Sequence, residues 1–419
     1  RWLSALQDGD SFKTVKMSRH AGNGLIAEAT ARMALRKSIV VTPAFTRPTE
    51  NWHHGHFTSA QLTERLPRAD ITGVACRRPR RRNTVRKFTR RNVLIMGAAG
   101  AGAAALPAFG IGHAREGQVS NVTYFDARPG SRSRDLAFAP DGAVWYCGQR
   151  DGTLTRLDPV DGALRPVSLG EGAAPHGVTL GPDGAMWITE GGQNAIARLD
   201  PTDDKVDLIP LPSQFARANL NTGAFDKDGI YWFTGQNGVY GRVDPASGKL
   251  DAWASPGGRG PYGITVTPKG DVWYASLAGS HIARIDRETG QATQVSPPTP
   301  NQGARRVWSD SRGRLWVSEW NSGNVSVHDP ADNSWQQWKL PGTRPRTYAV
   351  YVDERDKVWL TDFGANAIVR FDPETEKFTS YPSDRPNANV RHLFGRKGEV
   401  WGGESGTDRI VRVRFGETS

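Results

Sequence analysis

The sequence predicts an all-β protein, a seven-bladed β-propeller, and the first observation is a repeat. Seven tryptophans recur at steps of 41–45 residues between residues 132 and 415, namely Trp145, Trp187, Trp232, Trp273, Trp316, Trp359 and Trp401. Each unit has an apolar run, a Pro-Asp-Gly-type turn, a strand around the tryptophan and a third strand such as "AIARLDP" at 195–201. Most units then add a fourth strand. Four short strands in about 40 residues are typical of a propeller blade.

The second observation concerns the last repeat. Its third strand, "RIVRVRF" at 409–415, is followed by only four residues, which are too few for a fourth strand. The segment "NVTYFDA" at 121–127 lies just before the first blade and has the alternation of a strand. We expect this N-terminal strand to complete the last blade, because closure removes the open sheet edges.

Residues 85–114 have the layout of a twin-arginine signal peptide. Arg90 and Arg91 precede about twenty small apolar residues, and a small-residue cleavage site ends at Ala114. A membrane anchor is the alternative, since residues 93–111 are nearly long enough to span a bilayer. The stretch is mostly Ala and Gly and is interrupted by Pro107, which favours cleavage. We therefore expect a periplasmic or secreted protein that contacts the membrane only transiently.

Residues 1–84 show no sustained periodicity and are expected to be disordered or to precede the true translation start near Val85. The tract "NWHHGHF" has the composition of a metal-binding segment. If translation begins near Val85, its histidines, His53, His54 and His56, have no function in the protein. The predicted organisation is thus a segment 1–84, a signal peptide 85–114 and a propeller 115–419.

The charge distribution excludes one class of partner. The formal net charge is +11, but residues 1–115 carry +14 and the remaining chain carries −3. The predicted propeller therefore lacks the basic surface that nucleic-acid binding requires. Cys147 is the one cysteine after residue 115, so the propeller contains no internal disulfide. We expect a monomer that binds a small molecule and no nucleic acid.

Two rings of side chains are predicted at one mouth of the central channel. The start of the inner strand and the end of the antiparallel second strand of each blade lie at the same mouth. Counting back eleven residues from each tryptophan gives an inner ring of Arg134, His176, Asn221, Tyr262, Arg305, Tyr348 and Val390. Counting forward three gives Gly148, Glu190, Gly235, Ser276, Glu319, Asp362 and Glu404. Convergent polar groups in a concave mouth predict a ligand site; a water-filled pore is the alternative.

The second blade, "APHGVTLGPDGAMWITE" at 174–190, contributes a polar side chain to both rings, His176 and Glu190. Its turn and Trp187 are ordinary blade elements. Because histidine suits proton transfer near neutral pH, we predict that His176 is catalytic, with a purely structural histidine as the alternative.

The repeat, seen at 174–200 and in "GPYGITVTPKGDVWYASLAGSHIARID" at 260–286, resembles the virginiamycin B lyase (streptogramin B lyase) family over residues 132–415. The resemblance implies magnesium-dependent elimination on a cyclic ester, in which the metal polarises the substrate and a base removes the α-proton. That family has ring histidines in two adjacent blades, the later one within Glu-Pro-His-Gly. Here His176 follows Ala174 and Pro175, and Arg134 replaces the histidine of the preceding blade.

By chain order, the family's histidine pair falls on Tyr348 and Val390, and His392, two residues further on, is expected to face the same side. The other ring residues are predicted to bind substrate, a set comprising Arg134, Asn221, Tyr262, Arg305, Tyr348 and His392. Oxygen ligands suit Mg²⁺, so the predicted metal ligands are Glu190, Glu319, Asp362 and Glu404.

Two functions follow from these predictions. The first is an exported lyase-like enzyme. The second is a non-catalytic periplasmic propeller in which Arg134, Arg305 and the tyrosines hold an anionic or aromatic ligand. A gluconolactonase-like calcium hydrolase is disfavoured, because that family resembles a six-bladed propeller. A quinoprotein is disfavoured because turns such as "DPASGKLDAW" are ordinary turn chemistry.

Overall fold

The computed structural model describes residues 2–8, 11–16 and 121–415. Trp2–Asp8 (β1) and Ser11–Lys16 (β2) pair as an antiparallel hairpin. The predicted signal peptide at 85–114 and the histidine tract at 53–56 lie outside the described residues, so both stay predictions. Among the residues described, no helix has the length and apolar character needed to cross a bilayer.

Residues 121–415 form seven four-stranded antiparallel sheets, which confirms the predicted seven-bladed propeller. The first strand of the propeller, β3 (Val122–Asp126), precedes blade 1. Blade 1 contains β4 (Ser133–Phe138), β5 (Val144–Gly148), β6 (Thr153–Leu157) and β7 (Leu164–Ser168). Blade 2 contains β8 (Pro175–Leu180), β9 (Met186–Glu190), β10 (Ala195–Leu199) and β11 (Val206–Pro210). A single 3₁₀ turn, Ser213–Phe215, then leads into blade 3, with β12 (Leu220–Phe225), β13 (Tyr231–Gly235), β14 (Val239–Val243) and β15 (Leu250–Ala254).

The remaining blades repeat this arrangement. Blade 4 contains β16 (Pro261–Val266), β17 (Val272–Ser276), β18 (His281–Ile285) and β19 (Ala292–Val295). Blade 5 contains β20 (Ala304–Ser309), β21 (Leu315–Glu319), β22 (Asn324–Asp329) and β23 (Ser334–Lys339). Blade 6 contains β24 (Thr347–Val352), β25 (Val358–Asp362), β26 (Ala367–Asp372) and β27 (Lys377–Pro382). Blade 7 contains β28 (Val390–Arg396), β29 (Glu399–Glu404) and β30 (Arg409–Arg414).

The predicted closure of the ring is confirmed. β3 pairs antiparallel with β30 as the outermost strand of blade 7, so the first strand of the propeller completes its last blade. Phe125 of β3 stacks on Trp401 with ring centroids 5.2 Å apart. The guanidinium of Arg409 lies 3.9 Å from the ring centroid of Tyr124. These contacts close the sheet edge that β30 would otherwise expose.

The turn and tryptophan of the repeat form a structural lock. All seven repeat tryptophans are buried. In blades 3, 5 and 6 an aspartate six residues earlier caps the turn and accepts the indole N–H, at 2.9 Å for Asp226, 3.0 Å for Asp310 and 2.9 Å for Asp353. Its other oxygen accepts backbone amides of the turn, as Asp353 Oδ1 does from Lys357 at 2.9 Å. The turn and tryptophan therefore support the blade and do not form the site.

Every inner strand contains a register irregularity near its start. A bulge re-aims side chains, so two consecutive residues can both reach the channel. In β20, Arg305 contacts Tyr262 of blade 4, and Arg306 contacts Asp135 of blade 1. A contact between inner strands of non-adjacent blades has to cross the central channel. The bulges thus supply two layers of polar side chains.

Candidate functional site

The inner ring occupies the second residue of each inner strand. Six of the seven predicted positions lie there, namely Arg134, His176, Asn221, Tyr262, Arg305 and Tyr348. In blade 7 the ring residue is Arg391, and the prediction of Val390 is wrong. The two-residue turn after β28 is short, so Trp401 pairs with Phe394, seven residues earlier, whereas Trp359 pairs with Tyr351, eight earlier. The Lys-Gly turn at 397–398 was the sequence signal for this shift.

Four ring residues from blades 4 to 7 form a continuous arginine–tyrosine cluster. Arg305 Nη2 donates a hydrogen bond to the Tyr262 hydroxyl at 3.1 Å, and its guanidinium lies 3.7 Å from the Tyr348 ring centroid. The two tyrosine hydroxyls are hydrogen-bonded to each other. Arg391 Nη1 donates to the Tyr348 hydroxyl at 3.3 Å. Trp320 covers the cluster from the side, 4.7 Å from the Arg305 guanidinium.

This cluster makes Tyr348 unusually acidic. Burial alone would raise its pKa, but the surrounding guanidiniums, of Arg305 and Arg391 above all, lower the pKa of Tyr348 to about 7. Burial and the neighbouring Tyr348 raise the pKa of Tyr262. Tyr348 is therefore the tyrosine of the pair that loses its proton first.

The inner ring itself carries more positive than negative charge. Within residues 121–415, no carboxylate forms an ion pair with Arg134, Arg305 or Arg391. Arg134 Nε instead donates to Gln149 Oε1 at 2.7 Å, and burial lowers the pKa of Arg134 to about 10. One tyrosinate at most opposes three guanidiniums. An anion is the species that this ring would accept.

His176 lies among the ring residues, and its role as the catalytic base stays a prediction. It is 4% exposed, and the Asn221 side-chain nitrogen lies 3.2 Å from its Nε2. Because Asn221 Oδ1 accepts the Thr222 hydroxyl, its amide donates to Nε2, which places the histidine proton on Nδ1. Nδ1 has no hydrogen-bond partner within the described chain. Burial, reinforced by Arg134, lowers the pKa of His176 well below 6.5, so the ring is neutral and presents an N–H donor.

The predicted metal ligands are held in the loops of their own blades. Glu190 Oε1 accepts the backbone N–H of Ala174 at 2.6 Å and of Gly192 at 2.8 Å. Asp362 Oδ1 accepts the backbone N–H of Arg346 at 2.7 Å, which is the equivalent contact in blade 6. These carboxylates fasten the segment that leads into the inner strand.

The other two carboxylates are also bound by residues of their own blades. Glu319 Oε2 accepts the Ser322 hydroxyl at 2.6 Å. Glu404 accepts the hydroxyl of Thr407 at 2.6 Å and forms an ion pair with Arg409 at 2.7 Å. Across the part of the chain that the structure describes, no three His, Cys, Asp or Glu side chains form a metal-binding group. As placed, the four predicted ligands do not fit a shared Mg²⁺ site.

His392 belongs to the deeper layer of the channel and not to the ring. It follows Arg391 and accepts the Leu136 N–H at Nδ1, 3.4 Å away, while Nε2 lies 4.0 Å from Asp135 Oδ2. Arg306 donates to both oxygens of Asp135, at 2.9 and 2.8 Å. This buried pair joins blades 1 and 5 across the channel. The prediction that His392 faces the same side as the ring is therefore wrong. It assumed that Val390 is the ring residue of blade 7, whereas Arg391 occupies that position.

These features define a class of protein, a seven-bladed propeller whose channel has a cationic and aromatic ring at one mouth and an ion pair beneath it. The sequence profile of the virginiamycin B lyase family matches residues 110–345, which is more than half of the chain. The chain belongs to this family.

Solved structures support the fold. The virginiamycin B lyase from Staphylococcus aureus is 21% identical, with a TM-score of 0.65 over 70% of this chain and 99% of that one. YCF48 bound to D1 peptide is 15% identical, with a TM-score of 0.58 over 71% and 98%. The extracellular domain assigned to one-component system BT4673 from B. thetaiotaomicron is 16% identical, with a TM-score of 0.55 over 70% and 42%. Among curated proteins, none matches this sequence. Propellers of this shape thus include a lyase and an extracellular domain.

Proposed function

We propose that this protein is an exported binding propeller that holds a small anionic molecule at the ring mouth. One observation carries the proposal: three ring arginines, Arg134, Arg305 and Arg391, face one mouth without a carboxylate partner in the described chain. Burying an unpaired cation is costly, so such groups are retained where a ligand supplies the opposite charge.

Aromatic side chains beside the arginines indicate the rest of the ligand. Trp320 and Phe363 are half-buried and lie edge to face, with centroids 5.4 Å apart. Arg391 lies 5.4 Å from the Phe363 ring centroid. A planar carboxylate or phosphate matches the guanidinium fork, and an aromatic body would pack on these rings. The proposed ligand class is an aromatic carboxylate or phosphate ester.

The binding test uses isothermal titration calorimetry of the full chain with phenyl phosphate and with benzyl alcohol. We expect phenyl phosphate to bind and benzyl alcohol to fail, since the latter lacks the anion. Arg305→Gln and Arg391→Gln should each weaken phenyl phosphate binding by about tenfold or more, the loss typical of a charged contact. Arg165→Gln, on the exposed outer strand β7, is the matched control and should bind like the unaltered protein. Equal binding of phenyl phosphate and benzyl alcohol would refute the proposal.

Elimination chemistry is the second candidate, and one observation favours it beyond family membership. Tyr348, whose pKa is about 7, is close to half ionised near neutral pH and lies at the mouth. A group with a pKa near the working pH is suited to removing a proton. The test is incubation of the full chain with a streptogramin B antibiotic, followed by mass spectrometry, with Mg²⁺, EDTA or neither. A linear product of unchanged mass, lost in Tyr348→Phe, would establish a lyase. Loss in His176→Ala alone would support the predicted catalytic role of that residue.

Export belongs to the same proposal. It rests on the sequence layout of residues 85–114 and is supported by the extracellular domain among similar propellers. N-terminal sequencing of the protein from an extracytoplasmic fraction should begin close to Arg115. A protein found only in the cytoplasmic fraction, starting upstream of residue 85, would contradict export.

A further inference from the structure

A cavity lies at the opposite end of the channel from the ring. It has a volume of about 410 Å³ and is lined by inner-strand residues that follow the Asp135 layer. Its walls contain four half-buried aromatic side chains contributed by blades 1, 3, 5 and 7, namely Phe138, Phe225, Trp308 and Phe394. The ion pair between Asp135 and Arg306 separates this cavity, the aromatic bowl, from the ring mouth.

The aromatic walls are fixed by stacking against each other. Phe138 and Phe394 stack with centroids 5.5 Å apart, and Trp308 lies 5.8 Å from Phe394. Phe225 packs edge to face on Trp187 at 5.7 Å. Between them, smaller apolar residues such as Leu180 and Val266 complete the wall. Large hydrophobic side chains thus remain partly exposed around one concave space, which marks a ligand site more often than an ordinary surface.

The floor of the bowl is polar but carries no net charge. Asp135 and Arg306 neutralise each other through two hydrogen bonds. Burial lowers the pKa of His392 to about 4, so this imidazole is neutral near pH 7. Its Nδ1 accepts the Leu136 N–H, which places the proton on Nε2. Nε2 is 4.0 Å from Asp135 Oδ2, beyond hydrogen-bond distance, and His392 lines the cavity. The floor therefore offers a buried N–H donor.

We propose that the aromatic bowl binds a small, neutral aromatic molecule that presents a carbonyl-type oxygen to His392 Nε2. The volume falls within the range of small-molecule sites, about 300–1,000 Å³. A charged ligand would lose its hydration against apolar walls and gain no countercharge from the neutral floor. This site is separate from the proposed ring site, both in position and in ligand charge.

The first experiment uses Prodan, a neutral naphthalene with a propionyl group whose emission shifts to the blue in apolar surroundings. Titration into the full chain should give a saturable blue shift. Leu180→Glu places a carboxylate on the wall and should weaken Prodan binding by about tenfold or more. Val160→Glu, at a side chain that is 94% exposed on blade 1, is the matched control and should leave binding unchanged. Circular dichroism checks that both variants fold.

The second experiment varies the probe and leaves the protein unaltered, so folding does not enter. 2-Dimethylaminonaphthalene lacks the carbonyl and should bind several-fold more weakly than Prodan. 2-Naphthalenesulfonate is charged and should displace Prodan from the bowl only weakly, a competition measured in Arg305→Gln so that the ring does not take up the sulfonate. In His392→Phe the advantage of Prodan over its carbonyl-free analogue should disappear, while Arg305→Gln at the ring should change nothing. Failure of Prodan to saturate, or a sulfonate that displaces Prodan as well as 2-dimethylaminonaphthalene does, would overturn this proposal and leave the ring site untouched.

Discussion

Two adjacent arginines of β20 show how neighbouring residues acquire different roles. Arg306 is buried and bound to Asp135, so its charge is compensated inside the protein. Arg305 has tyrosine rings and hydroxyls around it and no described carboxylate. The first arginine closes the channel, and the second supplies charge to the ligand in the proposed function. The sequence shows both arginines but not this division, because the bulge that directs them is a property of the folded strand.

Tyr348 should ionise near neutral pH. We expect ultraviolet difference absorbance to show one tyrosine titrating with a midpoint near pH 7, since the guanidiniums lower its pKa to about 7. Tyr348→Phe should abolish this step. Since the pKa lies below the unfolded value of 10.0, the unfolded chain binds more protons between these pH values, and this contribution to stability increases with pH from about 7 to 10.

Ring variants provide the check on that titration. Arg391→Gln removes one guanidinium and should raise the midpoint of the Tyr348 step, whereas Arg165→Gln should not move it. A midpoint close to 10 in the unaltered protein would show that the arginines do not stabilise the tyrosinate.

His392 should make the protein sensitive to acid. Burial lowers its pKa to about 4 from the ordinary 6.5, so the unfolded state takes up a proton first as the pH falls. The stability that depends on neutral His392 is therefore complete above pH 6.5 and declines toward pH 4. Urea midpoints measured from pH 7.5 to 4.5 should fall less steeply for His392→Gln than for the unaltered protein. Parallel curves would contradict this assignment.

At the scale of the strand and turn, the repeat predicts where each residue lies on its strand but not where its side chain points. Counting from the tryptophans correctly placed six ring residues, because the second residue of each inner strand recurs in register. The same counting placed Glu190 and Asp362 at strand ends, yet backbone amides of the adjacent loops bind both carboxylates. Side chains alternate between the two faces within a strand, but this alternation no longer determines their direction at the strand end. The prediction of a Mg²⁺ site depended on the direction of these carboxylates.

Blade 4 contains an incomplete turn–tryptophan lock that a single substitution should repair. Thr267 occupies the position of Asp226, Asp310 and Asp353, and Trp273 Nε1 has no hydrogen-bond partner within the described residues. The Thr267 hydroxyl already accepts the Asp271 N–H at 3.1 Å, as an aspartate oxygen would. Thr267→Asp adds the second oxygen that the indole lacks. We expect the free energy of unfolding to increase by about 1 kcal/mol, which is the typical net contribution of one hydrogen bond.

Urea denaturation of Thr267→Asp measures this gain, and Asp353→Thr is the reverse change in blade 6. The latter should lower the free energy of unfolding by about 1–3 kcal/mol, because it leaves the Trp359 indole unpaired. Destabilisation by Thr267→Asp would mean that the added buried charge outweighs the new hydrogen bond.

At the scale of the whole molecule, ring closure was predictable because strands can be counted. The last repeat lacked one strand, and the segment before the first repeat supplied it. Strand counting does not reveal which side chains meet in the channel. The bowl and the ring use side chains from blades far apart in sequence, such as Asp135 and Arg306, which meet only after closure. The sequence therefore predicted the seven blades, their closure and most of the ring, and it contained no indication of the bowl.

Removal of β3 should open the propeller. A chain that begins at residue 128 lacks the strand that covers β30 and loses the packing of Phe125 on Trp401. Burial of Val122, Tyr124 and Phe125 against the core is worth about 5 kcal/mol, which corresponds to a decrease in Tm of roughly 10 °C for a domain of this size. The unpaired edge should also promote association between molecules, visible by light scattering. A chain beginning at residue 121, which keeps β3, is the control against which the Tm of the shortened chain is compared. A synthetic peptide of residues 121–127 should restore the Tm of the shortened chain, because it can rebuild the antiparallel pairing with β30. An unchanged Tm and a monomeric shortened chain would show that three strands suffice to close the last blade.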